Sequence, residues 1–599
     1  MDSTDTPDSP GTSSTNDGDT HSDRTPRLTR RELLAAAAAA SAAVAVAGCA
    51  PGAVTTARKP SAPASPFALS RPATLYADAT VPRALADRAV ALLQNVAGLS
   101  NVTAAKTLTA QTDVVLTFGS PPGGYSAAAV GVSPATVLTH LRVPVDGVSA
   151  AQARALLSGA TRNWREMGAP YSLAVRPLAL AGLSNASAAP ASNAQTYTSA
   201  AGLLDALRKT AGGVALAPLE LADWTARNLG VDGVYPAQGR GNLAQNPLGA
   251  YTLTLAAHAT LVKQGLNVHA LAAALAPLLA TSTSVIDMAA VGDIMLGRTV
   301  NSKMVAYRDY LYPYRKMHDE LHAADLRVAN LECTITDTVP IPSDPSTFYF
   351  VTAKKAVSGI VYAGFDAVTV ANNHADGPGG VPAMLDMLAT LRANGIAHCG
   401  GGSDLDAARQ PAIVAKRGVR FAFLGYNMVP PLPQGPFATP TSGGIAPVNL
   451  DTLPHDIAAA RKRADLVIPY FHWGIEYTKD PTSDQQRAAR AAIDAGADMV
   501  LGNHPHWIQG IERYKGKLII YSFGNFIFDQ DWSRPTLEGM LIHFYWRGGA
   551  LVGVRLVPTI DQDRCQPRPM SQAESVDSFA RMWSGTDLLA SGHYGPEPE

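Results

Sequence analysis

Apolar positions recur along the chain in two rhythms. Between residues 71 and 284, short apolar runs such as 73–76 and 114–118 alternate with alanine-rich amphipathic stretches such as 82–96. Short runs bounded by polar turns predict buried strands, and the longer stretches predict helices. Their alternation predicts an α/β domain. From about residue 285 the runs become more strongly apolar, and each ends in polar, metal-compatible residues. The first leads to Asp293, the second to Glu332, the third to Asn373 and His374, the fourth to His472, and the fifth to His504 and His506. Each run is long enough for one buried strand, with the polar group placed where the backbone leaves the sheet. Ligands of α/β sheets bind beyond the carboxyl ends of the strands, so these tips are expected to converge.

The first 70 residues follow neither rhythm. Residues 1–26 are mostly Asp, Ser, Thr, Gly and Pro, a composition expected to remain disordered. Arg30 and Arg31 then open an alanine-rich apolar run, 33–48. As a helix it would reach ~24 Å at 1.5 Å per residue, short of the ~30 Å hydrocarbon core, which suits an export signal better than a permanent span. The arginine pair resembles a twin-arginine signal, and Val46-Ala47-Gly48-Cys49 resembles a lipobox, with Cys49 as the lipidated mature N-terminus. The ordinary secretory signal is the competing reading. Residues 1–48 are thus expected to be tail and signal, and 49–70 a Pro/Ala/Ser tether. The expected location is the extracytoplasmic face of the cell membrane, with the lipid as anchor.

Composition narrows the classes that remain. A chain of 599 residues predicts several domains at roughly 100–200 residues each, and 47% hydrophobic residues exclude general disorder. Lys+Arg 48 against Asp+Glu 49, a net charge of −1, excludes the basic excess of a nucleic-acid binder. The four cysteines (Cys49, Cys333, Cys399 and Cys565) form no CxxC pair and build neither a disulfide framework nor a zinc ribbon.

Within 71–284, the stretch from Val148 to Gly159, followed by Asn163-Trp164 and Met167-Gly168, resembles phosphate-type periplasmic solute-binding proteins. The anion-holding loop of that family is not recognisable. A degenerate spacer or recognition module is therefore as reasonable an expectation as a working receptor.

The converging tips offer carboxylates, one amide and imidazoles, a donor set that suits Zn, Fe or Mn better than Ca or Mg. Together with Tyr521-Ser522-Phe523-Gly524-Asn525-Phe526, they resemble the CapA family of poly-γ-glutamate capsule proteins, in the calcineurin-like metallophosphoesterase superfamily. The resemblance covers roughly 287–560 and implies a two-sheet α/β sandwich with two divalent transition metals between the sheet ends. Residue by residue, it implies that Asp293 and His506 bind the first metal and that Glu332 bridges. Asn373, His472 and His504 would bind the second, and His374 would act from outside as proton donor or oxyanion stabiliser. Arg298 is a further catalytic candidate, with Glu476 and Asn525 as metal- or substrate-side candidates. Met295 stands where many relatives in the superfamily have a histidine, which leaves the first metal short of a ligand. Trp473 and Trp507 read as packing residues, and the Cys333 side chain is expected on the opposite face of its strand.

The resulting expectation is a binding-protein-like domain at 71–284, a CapA-like metallophosphoesterase domain at 285–560 and an extension at 561–599. Its partners would be an anionic polymer or phosphoester substrate and subunits of a capsule-synthesis complex. A non-catalytic assembly or anchoring subunit is one alternative, and an anion or phosphate sensor acting through 71–284 is another.

Overall fold

The computed structural model describes residues 71–592, except 97, 98, 100, 184, 186, 280–283 and 432–435. The expected signal, Cys49 and the tether lie outside the described residues. Among the described residues no helix is long and apolar enough to cross a membrane.

The first half is organised by one long strand, Tyr125–His140. It pairs antiparallel with Ala250–His258 near its start and with Gly213–Pro218 and Ala226–Val231 near its end. One flank carries the parallel strands Thr74–Ala77 and Val114–Thr117, and the other carries Arg176–Leu180 and Gln195–Tyr197. The expected strands at 73–76 and 114–118 and the helix at 82–96 appear as Thr74–Ala77, Val114–Thr117 and Arg83–Leu93. The binding-protein-like motif has a local physical basis. Ser149 caps Ala150–Leu157 in a reciprocal box with Gln152, and Asn163 caps the turn that buries Trp164. The Trp164 indole then donates to the Gly212 carbonyl at 2.9 Å.

The second half stacks two sheets. In the first, Ala397–Cys399, Ala367–Thr369, Leu326–Leu331 and Ile286–Ile294 run parallel, followed by antiparallel Glu538–Arg547 and Ala550–Gln562. In the second, Val419–Asn427, Leu466–His472 and Met499–Asn503 run parallel. Side chains alternate across each strand. Met288, Ala290, Val328, Phe423, Ile468 and Leu501 share one core between the sheets. Ala289, Val291 and Ala329 face Arg298–Ala306 and Gly380–Ala393 in a second core, while Ala422, Val467 and Val500 face Leu453–Arg461 and Ser483–Asp494 in a third. The result is an α/β sandwich with helices outside both sheets. Each fully buried Leu, Ile or Phe contributes roughly 1.5–3 kcal/mol of transfer free energy, so the two-sided burial fixes the register of every strand that carries a site residue.

The strand Ala550–Gln562 crosses residue 560, and the helix Val576–Ala590 buries Phe579, Met582 and Trp583 in the core between the sheets. Residues 561–592 are thus part of the fold rather than an appendage. Leu141 and Trp224 of the first half join the same core, and the Trp224 indole donates to the Gly516 carbonyl at 3.1 Å.

Candidate metal centre

All five predicted tips lie at the carboxyl ends of parallel strands. Asp293 is the penultimate residue of Ile286–Ile294, Glu332 follows Leu326–Leu331, and His472 ends Leu466–His472. A close approach brings in a sixth segment. A Cβ on Gly292 would lie 1.9 Å from the Gly524 carbonyl oxygen, so only glycine lets the Gly524 turn lie beside the strand and set Asn525 opposite Asp293. His504 and His506 flank Pro505 with positive φ angles, 99° and 56°. These are strained settings for non-glycine residues and occur where a turn must aim side chains inward.

Asp293, Glu332 and His506 gather as one possible ligand group, and Glu476, His504 and His506 as another. Asp293 Oδ1 accepts from the amides of Asn330, at 2.7 Å, and Asn503. Asp293 Oδ2 and Glu332 Oε1 are buried and have no hydrogen-bond partner. His506 approaches both, with Nδ1 3.4 Å from Asp293 Oδ2 and Nε2 3.7 Å from Glu332 Oε1. Burial, reinforced by the neighbouring Asp293 charge, pushes the Glu332 carboxyl well above its ordinary range. Two fully buried carboxylates with open oxygens are costly unless a cation meets them. The donor set therefore fits a divalent metal.

On the other sheet, His472 Nε2 lies 2.8 Å from Asn373 Oδ1 and 3.1 Å from His504 Nδ1. Burial holds both imidazoles far below their ordinary pKa, with neighbouring histidines adding to the shift. They are neutral, the form in which a ring lone pair is open to a metal.

His374 stacks on Phe350, with ring centroids 4.1 Å apart. Its Nδ1 lies 2.8 Å from the Phe348 carbonyl, which only accepts, so Nδ1 carries the proton. Nε2 then faces the Asn373 amide at 3.0 Å and Glu332 Oε1 at 3.9 Å as an acceptor. Burial lowers its pKa to about 3. In this tautomer Nε2 is the ring nitrogen left open to accept.

Arg298 is not a surface cation. It is half-buried, pairs with Asp529, and lies 4.6 Å over the Phe350 ring. Asn525 meets His506: its Oδ1 is 2.9 Å from His506 Nδ1, and its amide donates to Gln530 and to the Thr536 carbonyl. Glu476 is partly exposed at the edge of the group, 4.0 Å from His506 Nε2. The Met295 sulfur accepts the Gly297 amide at 3.1 Å, and its side chain sits in the helix-side core. Cys333 lies in that core too, and Trp473 is fully buried against Phe471, as expected of packing residues. Asp376 is buried with neither carboxylate oxygen hydrogen-bonded, and burial raises it to about 7.

Sequence reasoning missed the amides beneath the site. Asn330 donates to Asp293, lies 3.4 Å from Glu332 Oε2 and 3.3 Å from His472 Nδ1, and accepts from Asn372 at 3.0 Å. Its available signal was position: it stands two residues before Glu332, on the same face of the strand.

The family model described as bacterial capsule synthesis protein PGA_cap matches residues 287–530, which hold the whole constellation. The PGA biosynthesis protein CapA of Bacillus subtilis (strain 168) is 32% identical over 292 residues, 49% of this chain and 75% of its own. The capsule biosynthesis protein CapA of Bacillus anthracis is 30% identical over 307 residues, 50% of this chain and 73% of its own. Among solved structures, an ABC-type phosphate transport receptor from Vibrio cholerae aligns with 31% of this chain and 86% of its own, at 11% identity and a TM-score of 0.22. With the matched segment carrying every predicted ligand, the chain belongs to the bacterial capsule synthesis protein (PGA_cap) family.

Proposed function

We propose that this chain is an exported, lipid-anchored accessory protein of capsule or poly-γ-glutamate synthesis. In this reading its second half hydrolyses a phosphoester or chemically similar bond in an anionic polymer or its precursor. The observation that carries the hydrolase reading is the pair of buried, unpartnered oxygens, Asp293 Oδ2 and Glu332 Oε1, facing neutral or approachable imidazoles. Asp293, Glu332 and His506 would hold one divalent transition metal, and Asn373, His472 and His504 a second. Metal bound there supplies charge that polarises a phosphoryl oxygen and acidifies water. The remaining steps fall to the chain. Asn330 and Asn503 hold Asp293 in place, and Asn525 orients His506. The Phe348 carbonyl fixes the His374 tautomer, so that Nε2 is free to accept a proton beside Glu332.

The assembly or anchoring reading draws support from Arg298, whose guanidinium is already engaged by Asp529. One experiment separates the two. On the full chain, metal content is measured beside a phosphodiester and phosphomonoester screen. His374→Ala should keep its metal and lose roughly 10²–10⁴ in kcat, whereas His472→Ala should lose metal and activity together. Wild-type polymer output from metal-replete His374→Ala cells would leave the scaffold reading standing. The anchor is tested separately: Cys49→Ser should release the protein or block its processing.

A further inference from the structure

A second polar cavity, of about 340 Å3, opens between the two halves. Val285 and Asp287 line it, six residues and ~20 Å of strand away from Asp293. Arg240 and Gln238 reach it from the first half, and Arg417 and Arg547 from the second.

Arg547 is the unusual group. It is 8% exposed, and its guanidinium meets a neutral group: Nη2 donates to the Pro236 carbonyl at 2.8 Å. Its Nε has no partner, and among the described residues no carboxylate pairs with it. Burial presses its pKa below the ordinary guanidinium value, against the opposing pull of the Glu220 carboxylate. Gln238 Oε1, buried in the same wall, also lacks a partner. Arg417 is held by Asp325, and Arg240 lies 5.5 Å over the Tyr235 ring. A buried cation without an ion pair is costly, the Glu220 charge nearby notwithstanding, and the planar guanidinium fork matches the two oxygens of a carboxylate or phosphate.

We propose that this cavity is a binding site for a compact oxyanion, a phosphate or carboxylate group. Arg547 holds the anion from below, and Arg240 and Arg417 close over it. Gln238 Oε1 receives an O–H or N–H of the same ligand. Because the walls come from both halves, occupancy ties them together. The site is separate from the metal centre and does not depend on its activity.

The competing account makes Arg547 a structural clamp on Pro236. Both are tested on the full chain after chelation and dialysis, so that no metal competes for the anion. Calorimetry and thermal unfolding are run with sodium phosphate and with sodium L-glutamate against chloride at matched ionic strength. We expect one saturable site, with tighter binding of phosphate or of glutamate identifying the natural source of the anion. Arg240→Ala should weaken binding at least tenfold and leave the unliganded melting temperature unchanged. Arg547→Met should abolish binding while holding or raising that temperature, because it removes an unpaired buried charge. His506→Ala should leave anion affinity unchanged. Absence of saturable binding of either anion would overturn the site. So would a lower melting temperature in Arg547→Met with affinity intact. Should Arg547→Met fail to fold, Arg240→Ala and Arg417→Ala decide alone, and unchanged affinity in both refutes the proposal.

Discussion

The two ends of the Ile286–Ile294 strand each bury an aspartate, Asp287 and Asp293, and treat it in opposite ways. Asp287, at the start, accepts from His543 Nδ1 at 2.8 and 3.0 Å, and His543 Nε2 meets Glu320 at 2.8 Å. Arg555 links Glu320 to Asp146, which also pairs with Arg227 at 2.5 Å. Each acid there has a cation. Asp293, near the other end, receives only neutral amides on one oxygen and no hydrogen bond on the other, and Glu332 beside it is similarly open. Burial alone therefore does not mark function. The mark is negative charge that the fold leaves without an ion pair.

The largest expected effect breaks this contrast directly. Asp287→Ala should cost about 3 kcal/mol, because it strips a partner from a buried imidazolium. Asp293→Asn should do the reverse in chelated protein and raise its melting temperature, since one of two adjacent buried carboxylates loses its charge. The same variant should lose stoichiometric metal. If Asp293→Asn destabilises the chelated chain as Asp287→Ala does, the two ends are alike and the contrast fails. Next in size is Asn330→Ala, which removes the amide shared by Asp293, Glu332 and His472. Supporting groups of this kind are worth 10–100-fold in metal affinity, and competition with a chromogenic chelator reads that loss.

The ion network also sets a pH window. Burial alone would lower His543, but hydrogen bonds to Asp287 and Glu320 outweigh it and raise its pKa above 6.5. The stability it contributes is complete below pH 6.5 and is lost as pH rises through the folded value. Burial would raise Glu320, but hydrogen bonds from His543 and Arg555 bring it from 4.5 to about 2. That contribution is present above pH 4.5 and is lost as pH falls toward 2. Both are full between pH 4.5 and 6.5. The melting-temperature difference between wild type and His543→Gln should be flat in that window and shrink above it. A difference that stays constant into the alkaline range would show that the imidazolium is not part of the network.

Much of the metal half was legible because each strand writes its own signal: a continuous apolar run, then one polar residue at the tip. That signal is local, so Asp293, Glu332, His472, His504 and His506 could be read without knowing which strands pair. Asn330, Asn372 and Asn503 could not. Amides carry no charge signature, and their role appears only when Asp293 falls opposite Asn330 in the parallel register. The strand Tyr125–His140 escaped for a related reason. Its Ala, Gly, Ser and Pro follow no two-residue period, and pairing along its length holds it extended. The seam was unreadable altogether, since Asp146 and Arg555 meet across hundreds of residues of chain. That seam also argues against a free-standing second half, because Leu141 and Trp224 complete its inter-sheet core.

The smallest expected effect concerns Met295, and it sharpens the contrast by locating its boundary. Position in the motif makes Met295 look like a failed ligand, two residues beyond Asp293. Its geometry says otherwise: the sulfur accepts the Gly297 amide, and the side chain packs in the helix-side core with Val291 and Leu296. Met295→Leu conserves volume and shape closely, so it should cost less than ~1.5 kcal/mol, with part of that cost coming from the lost amide contact. Metal stoichiometry and chelator competition should match wild type, because the unmatched charge resides on Asp293 and Glu332, one strand face away. A Met295→Leu chain that keeps its melting temperature but loses metal would place the thioether in the ligand shell. The open end of the strand would then extend past Asp293 into what now reads as core.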